Sequence, residues 1–222
     1  MSDYQLRFGG IARLYGNTQS EALQKAHFCV IGIGGVGSWV AEALARNGIG
    51  QITLIDLDDL CITNINRQIH ALTHTIGQSK VDVMRDRIIQ INPECIVNTI
   101  EDFVTLENVR EILSNSYDYV IDAIDSVNVK SAVIAHCKRN KLPLITIGGA
   151  GGQIDPSKIA IADLSQTYQD PLLAKVRNQL RREYNFSRNV KRKFSIDAVF
   201  SSEQLRYPDS DGNVCHAKQS ND

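Results

Sequence analysis

Four glycines within six residues, Gly32, Gly34, Gly35 and Gly37, interrupt an apolar run and leave few folds open to this 222-residue chain. The Phe28–Ile33 segment around the first of them is short, apolar and rich in β-branched side chains, which predicts a buried strand of a parallel sheet. Beyond the turn, Val36, Val40 and Leu44 fall on one face of a helix that ends near Asn47-Gly48. Ile52–Ile55 predicts a second strand, with Asp56 at its C-terminal end. Glycine is needed where a chain turns sharply and where backbone must approach a phosphate with no Cβ in the way. The helix start offers free N–H groups and a positive dipole end to that anion, and a carboxylate about twenty residues on suits a ribose hydroxyl. The order of these parts predicts a nucleotide site at Gly32, Gly34, Gly35, Gly37 and Asp56. Close helix–strand packing alone is the competing explanation of the glycines.

The segment after Asp56 separates two kinds of nucleotide site. A dinucleotide-binding dehydrogenase needs only ordinary crossover sequence there, whereas Asp58, Asn64, Asn66, Arg67 and Gln68 follow closely and Lys80 opens the next predicted helix. A guanidinium binds phosphate oxygens bidentately and an ammonium adds a point charge, so the pair suits a triphosphate attacked at its α-phosphate. By residue type alone, Arg67 and Lys80 could also be solvated surface cations. Asp125, in the run VIDAIDS, falls at the C-terminal end of a strand predicted over Tyr119–Ala123, the edge where open α/β sheets bind ligands. Its other explanation is a helix N-terminal carboxylate beside Ser126.

The remaining pattern predicts an α/β fold: a Rossmann-like, mostly parallel sheet with flanking helices and a less regular C-terminal extension. Helices are expected over Lys80–Ile91, from Thr105 to Leu113 and from Ser126 to about Asn140; strands over Cys95–Ile100, Leu144–Ile147, Lys158–Asp163 and Ser195–Phe200. The expected organisation is a single domain over 1–222: a helical arm over 1–27, a nucleotide-binding core over 28–150 and an extension over 151–222, to which the family resemblance given below implies an adenylating domain's substrate-binding or dimerisation role. With 43% hydrophobic residues, one large core can be buried, and no signal peptide or membrane-spanning apolar run is seen, so a cytoplasmic location is expected.

Five cysteines, Cys29, Cys61, Cys95, Cys137 and Cys215, include no CxxC pair, so no zinc is expected. Cys29, Cys95 and Cys137 are expected in the core, and Cys215, in a polar tail, is expected to be the most accessible thiol. The net charge of −1 hides a basic segment, 175–193, holding Lys175, Arg177, Arg181, Arg182, Arg188, Lys191, Arg192 and Lys193 against the single acid Glu183. Leu173, Val176 and Leu180 would give this stretch an apolar helical face, leaving its cations outward, with Tyr184 and Phe186 available for stacking. A phosphate backbone is the natural partner of such a patch, and solvated helical charge the alternative.

GIGGVG, LIDLDDLCITNINRQ, Lys80 and VIDAIDS together resemble the ATP-dependent carboxylate-adenylating superfamily, which includes ubiquitin-activating enzymes and the bacterial activators of sulfur-carrier proteins. RFGGIARLYG, NRQIHAL, INPEC and PLITIGGAGGQIDPSKI resemble its tRNA threonylcarbamoyladenosine dehydratase branch, over about Arg7 to Cys215. The resemblance implies that Gly32–Gly37 cradle phosphates and Asp56 takes the ribose hydroxyls. It also implies that Asn64, Arg67 and Lys80 contact the triphosphate, with Asp58 in the same site, that Gln68 supports the loop, and that Asp125 holds Mg²⁺. An arginine acting across a homodimer is a superfamily feature for which Arg13 or Arg7 is available, although Gly9 and Gly10 stand where relatives often carry arginine.

By the same resemblance, the expected activity is ATP-dependent cyclisation of threonylcarbamoyladenosine beside the tRNA anticodon through an acyl-adenylate. A cysteine desulfurase and sulfur-acceptor pair are implied as partners. An activator of a ubiquitin-like sulfur-carrier protein, a non-catalytic sulfur-transfer scaffold and an NAD-binding oxidoreductase remain the rivals. Proteins of the branch continue past a segment like Ser210-Asp211-Gly212 into a cysteine-containing stretch and an apolar helix. This sequence stops at Asp222, so membrane association or chemistry belonging to that tail is not carried over.

Overall fold

A computed structural model describes residues 2–113, 117–209 and 213–216. The expected segment Ser210-Asp211-Gly212 and the tail after His216 lie outside the described residues. Contacts divide the chain into two compact units, Met1–Ile124 with His136–Leu144, and Asp125–Ala135 with Ile145–Asp222.

The first unit opens with α1 (Asp3–Tyr15), capped by a reciprocal Ser2–Gln5 box, and α2 (Asn17–Lys25). It then alternates β1 (His27–Ile31), α3 (Gly37–Arg46), β2 (Gln51–Ile55), α4 (Lys80–Ile91), β3 (Ile96–Ile100), the single turn α5 (Val109–Ile112) and β4 (Tyr119–Asp122). The strands lie in the order β3-β2-β1-β4, all parallel, with Ile31 level with Ile55 and with Asp122, and Ile55 level with Ile100. Successive crossovers therefore leave β1 in opposite directions. The switch point, where open α/β sheets bind ligands, falls at the C-terminal end of β1, directly before Gly32. Cys29, Val30, Ile52, Leu54 and Val120 are fully buried in these strands.

Several boundaries shift by a residue or two, the strand expected over Ser195–Phe200 running Asp197–Ser201, and two departures have a clear local cause. β1 stops at Ile31 because Gly32 turns with φ of 86°. The helix expected from Thr105 begins only at Val109: the Thr105 hydroxyl accepts from the N–H groups of Glu107 and Asn108, while the Asn108 amide takes the Thr105 N–H and the Phe103 carbonyl. Side chains that satisfy nearby backbone compete with the helix.

The boundary between the units falls within α6 (Val127–Asn140) and at the start of β5 (Leu144–Ile147). The second unit continues with β6 (Ile159–Asp163), α7 (Pro171–Glu183), β7 (Asp197–Ser201) and a small hairpin of β8 (Tyr207–Pro208) and β9 (Val214–Cys215). β5 pairs parallel with β7, and β6 runs antiparallel to β7. A mostly parallel, Rossmann-like α/β fold results. No described helix is long and apolar enough to cross a membrane.

Asp163, at the end of β6, accepts the backbone N–H groups of Ser165, Phe194 and Ser195 at 2.9, 2.9 and 2.6 Å. Burial works to raise its pKa, but the donors of Ser165, Phe194 and Ser195 outweigh it, and the carboxyl titrates below its ordinary value. A depressed folded-state pKa gives stability that is present above the ordinary carboxylate value and lost as pH falls through the folded one. Asp163→Asn should therefore cost about 1–2 kcal/mol at neutral pH, read from thermal melts, and should flatten the acid limb of the stability curve. A variant melting like the parent at neutral pH and in acid would remove this anchor from the account.

Candidate active site

Gly37 is where the turn is most tightly constrained. A Cβ there would sit on the Gly32 carbonyl oxygen, and one on Gly32 would meet the Ala123 carbonyl at 3.1 Å. Gly34 has room by comparison, its nearest prospective neighbour being the Gln68 amide nitrogen at 4.0 Å. The Gly32 N–H donates to the Ile55 carbonyl at 2.9 Å, fixing the start of the turn to β2. No side chain caps the N-terminus of α3, and among the described residues the N–H groups of Gly35, Val36 and Gly37 have no hydrogen-bond partner. Open donors at the positive end of a ten-residue helix make an anion site.

Asp56 ties the turn to the loop after β2. One carboxylate oxygen accepts the Ile33 N–H at 2.6 Å and the other the Asp58 N–H at 2.9 Å. Each oxygen keeps a second lone pair for a ligand hydroxyl. Lys80, at the first position of α4 and 6% exposed, pairs with Asp58 at 2.7 Å and stands 4.0 Å from Asp56. Its charge is thus already shared between two carboxylates. Glu42, buried on α3, bridges Arg46 at 2.7 Å and Arg87 of α4 at 2.6 Å, which holds the Lys80 helix beside the helix of the turn.

Arg67 is placed differently. It is exposed, its stem would stand 3.2 Å from a Cβ on Gly35, and its guanidinium donates to the Thr63 carbonyl and the Asn66 amide oxygen at 2.9 and 3.0 Å. No described carboxylate pairs with it, so it is the cation at the turn whose charge is left for a ligand. Asn64 is buried and accepts the Cys61 N–H at 3.0 Å, closing the short helical turn Ile62–Asn64 that carries Arg67. Gln68 is buried beside Gly34 with its carbonyl oxygen unpartnered among the described residues.

Other sequence-predicted residues are not gathered here. Arg13 folds its guanidinium over Gly9 and Gly10, and Arg7 pairs with Asp3 at 2.7 Å; no described contact joins either to the turn. Asp125 is exposed, just beyond Ile124. The basic segment departs from an outward array. Lys175, Arg182, Arg188, Lys191, Arg192 and Lys193 are exposed, whereas Arg177 is half-buried against the Thr167 hydroxyl and Arg181 lies 5.3 Å from the Phe194 ring centre. Phe186 packs edge-on against Phe194 and is not the free stacking platform that was expected. Leu173, Val176 and Leu180 do form the buried face of α7.

Cysteine accessibility is also redistributed. Burial pushes the thiols of Cys29, Cys95 and Cys137 upward, the second to about 11 and the third to about 12. Cys61 is exposed while Cys215 is half-buried in β9, the reverse of the expected ranking. The Thr63 hydroxyl lies 3.4 Å from the Cys61 sulfur and lowers its pKa, and among the described residues no base is in contact with it.

Sequence reasoning missed three residues near the turn or the second unit's glycine loop. Trp39, the chain's single tryptophan, donates its indole N–H to the Arg67 carbonyl at 3.0 Å. His70 is 1% exposed with both ring nitrogens unpartnered, and burial, with the charges of Lys80 and Arg87, depresses its pKa to about 4, so it is neutral at pH 7. Asp170 caps α7 through the Leu173 N–H and holds the Gly149 N–H at 2.9 Å. None has a spacing signature that would mark it.

The ThiF family model matches residues 9–190. The tRNA threonylcarbamoyladenosine dehydratase of Haemophilus influenzae is 63% identical over 208 residues, 94% of this chain and 80% of that protein. The structure of E. coli tRNA N6-threonylcarbamoyladenosine dehydratase in complex with ATP superposes with a TM-score of 0.91 at 59% identity, covering 93% of this chain and 86% of that one. The molybdopterin-synthase adenylyltransferase of Salmonella typhimurium is 33% identical over 126 residues, 57% of this chain and 50% of that protein.

Proposed function

This chain belongs to the ThiF family, and on that premise we propose that it catalyses ATP-dependent dehydration of the threonylcarbamoyladenosine next to the tRNA anticodon. The observation that carries this is the uncapped α3 turn at the switch point with Arg67, a cation without a carboxylate partner, beside Gly35. The dehydratases named above match nearly the whole chain, whereas the carrier-protein activator matches little more than half.

ATP is consumed as a substrate. A free carboxylate is a poor acyl donor, so its oxygen first attacks the α-phosphorus; a P–O bond forms, the bridge to the β-phosphate breaks, and pyrophosphate leaves with the electron pair. A nitrogen of the threonylcarbamoyl group then attacks the acyl carbon, loses its proton and expels AMP as the ring closes. One carboxylate oxygen departs on AMP, so the net change in the nucleoside is loss of water. No enzyme nucleophile is required, because the substrate supplies its own.

The backbone N–H groups of Gly35, Val36 and Gly37 hold phosphate oxygens, with Gly32 and Gly34 shaping the turn. Asp56 binds the ribose, and Arg67 neutralises charge building on the α-phosphate. Lys80 assists with a charge moderated by Asp58 and Asp56, while Asn64 and Gln68 shape the loop. Mg²⁺ is commonly held by one or two carboxylates together with substrate phosphates, a demand the exposed Asp125 meets, and it would supply charge neutralisation when bound. Arg13 or Arg7 acts across a homodimer. The exposed cations of 175–193 face tRNA, and a cysteine desulfurase with its sulfur acceptor are the protein partners. The setting is the cytoplasm, where tRNA is modified.

The test is pyrophosphate release from ATP with either threonylcarbamoyladenosine-bearing tRNA or ubiquitin-like carrier proteins. Stimulation by the modified tRNA is expected; stimulation by a carrier protein and not by tRNA would transfer the chain to the carrier-activating branch.

A further inference from the structure

The second unit contains a cavity of about 340 Å³ at the start of α7, lined by Gln169, Asp170, Arg177, Gln204, Tyr207 and His216 among others. Arg177 is its one cationic wall residue that is half-buried. Among the described residues it has no ion pair, and its only hydrogen bond there runs from one terminal nitrogen to the Thr167 hydroxyl. Asp170, on the same wall, makes no ion pair with it among the described residues; its oxygens accept the Leu173 N–H at 2.8 Å and the Gly149 N–H at 2.9 Å.

A partly desolvated charge without a counter-ion is costly, and buried charges are ordinarily paired. Burial, and then the neighbouring charge of Arg181, act to lower the Arg177 pKa, with the charge of Asp170 opposing them. A guanidinium without an ion pair on the wall of an open cavity favours an anion there. Further polar residues line the same space, Tyr207, Gln169, Gln204 and His216, the last with its ring Nδ1 3.2 Å from the Leu205 carbonyl.

We propose that this cavity is a phosphate subsite, in which Arg177 takes one phosphodiester of an RNA strand while Tyr207 and His216 line its other side. The assignment to RNA follows from the exposed Lys175, Arg182, Arg188, Lys191, Arg192 and Lys193 on the same helix and the loop after it, which extend positive charge well past a single anion. It rests on the proposed tRNA substrate and goes beyond it by naming which cation is aimed into a built pocket and which are peripheral. Arg177 acts here in binding and touches no reacting atom.

The experiment measures binding of threonylcarbamoyladenosine-bearing tRNA to ATP-saturated protein across a salt series. Arg177→Gln should weaken binding about tenfold and reduce the slope of log affinity against log salt by about one, with ATP affinity unchanged. Arg177→Lys should keep the slope and lose part of the affinity, since a point charge replaces a planar fork. His216→Ala, at an exposed position, should weaken binding by a few fold and leave the melting temperature near the parent's. With inorganic phosphate as the sole probe, parent and Arg177→Gln should both respond weakly and alike. Parent-like tRNA affinity and slope in both Arg177→Gln and His216→Ala overturn the subsite while leaving the tRNA reading intact. Phosphate binding as tight as that of tRNA, and lost in Arg177→Gln, overturns the assignment to RNA. Parent protein without salt-dependent tRNA binding overturns subsite and substrate together.

Discussion

Arg67→Ala should lower tRNA-dependent pyrophosphate release by about 10²–10³-fold and leave thermal stability nearly unchanged, within about 0.5 kcal/mol. The two halves of that expectation come from the same geometry. The side chain is exposed and its guanidinium holds only the Thr63 carbonyl and the Asn66 amide, so truncation removes little that the fold uses. Its stem, however, stands against Gly35, and no described carboxylate competes for its charge. The loss should appear in turnover more than in ATP affinity, because the charge that Arg67 answers grows only as the α-phosphorus is attacked. Arg67→Lys should recover part of the rate, limited by loss of the bidentate fork. Lys80 is a less clean probe. Removing it also strands Asp56 and Asp58, and the rate would fall for structural as well as catalytic reasons. A near-parental rate in Arg67→Ala would take this residue out of the chemistry.

The second large effect separates packing from phosphate binding at the glycine turn. Gly37→Ala places a methyl on the Gly32 carbonyl oxygen, and backbone against backbone cannot yield cheaply. A loss of about 3 kcal/mol or more is expected, with ATP binding abolished. Gly34→Ala meets nothing nearer than the Gln68 amide nitrogen at 4.0 Å and has no unusual φ, so the apo-protein should melt within about 1 kcal/mol of the parent. If the turn cradles phosphate, the added methyl still occupies ligand space, and ATP affinity should fall tenfold or more. Melts with and without ATP read both quantities, since a ligand stabilises by its free-energy of binding to the folded state. An ATP-induced shift in Gly34→Ala equal to the parent's would mean that the turn serves helix–strand packing only.

The parts of the fold that were legible in the sequence are those written as local periodicity. α4 spans Lys80–Ile91 as predicted because Val81, Met84 and Ile88 recur on one face and are fully buried, and β5 spans Leu144–Ile147 as predicted. The turn from Gly32 to Gly37 was legible because a strand, four glycines, a helix and a carboxylate follow in a spacing that few other demands produce. What escaped depends on partners distant in sequence. Asp170 holds a backbone group 21 residues away, and Asp163 anchors N–H groups 31 and 32 residues away, so neither has a periodic signature. Residue type said that 175–193 is basic, but not that Thr167 and Phe194 would draw Arg177 and Arg181 inward. The Thr105 cap misled because the same hydroxyl that can start a helix closed a turn instead. For the candidate site, residue type and spacing singled out Asp56, Arg67 and Lys80 with the polar segment between them, while the roles expected of Asn64 and Gln68 came from the family resemblance. Which of the two cations is left unpaired by carboxylates required three-dimensional placement.

The most direct test follows the nucleoside itself. Threonylcarbamoyladenosine-bearing tRNA is incubated with the protein and ATP, digested under conditions that spare a closed ring, and its modified nucleoside weighed by mass spectrometry. A nucleoside lighter by one water, formed only with ATP and in step with one AMP and one pyrophosphate, is the predicted result. An unchanged nucleoside, from protein that binds both ATP and the tRNA, would contradict it.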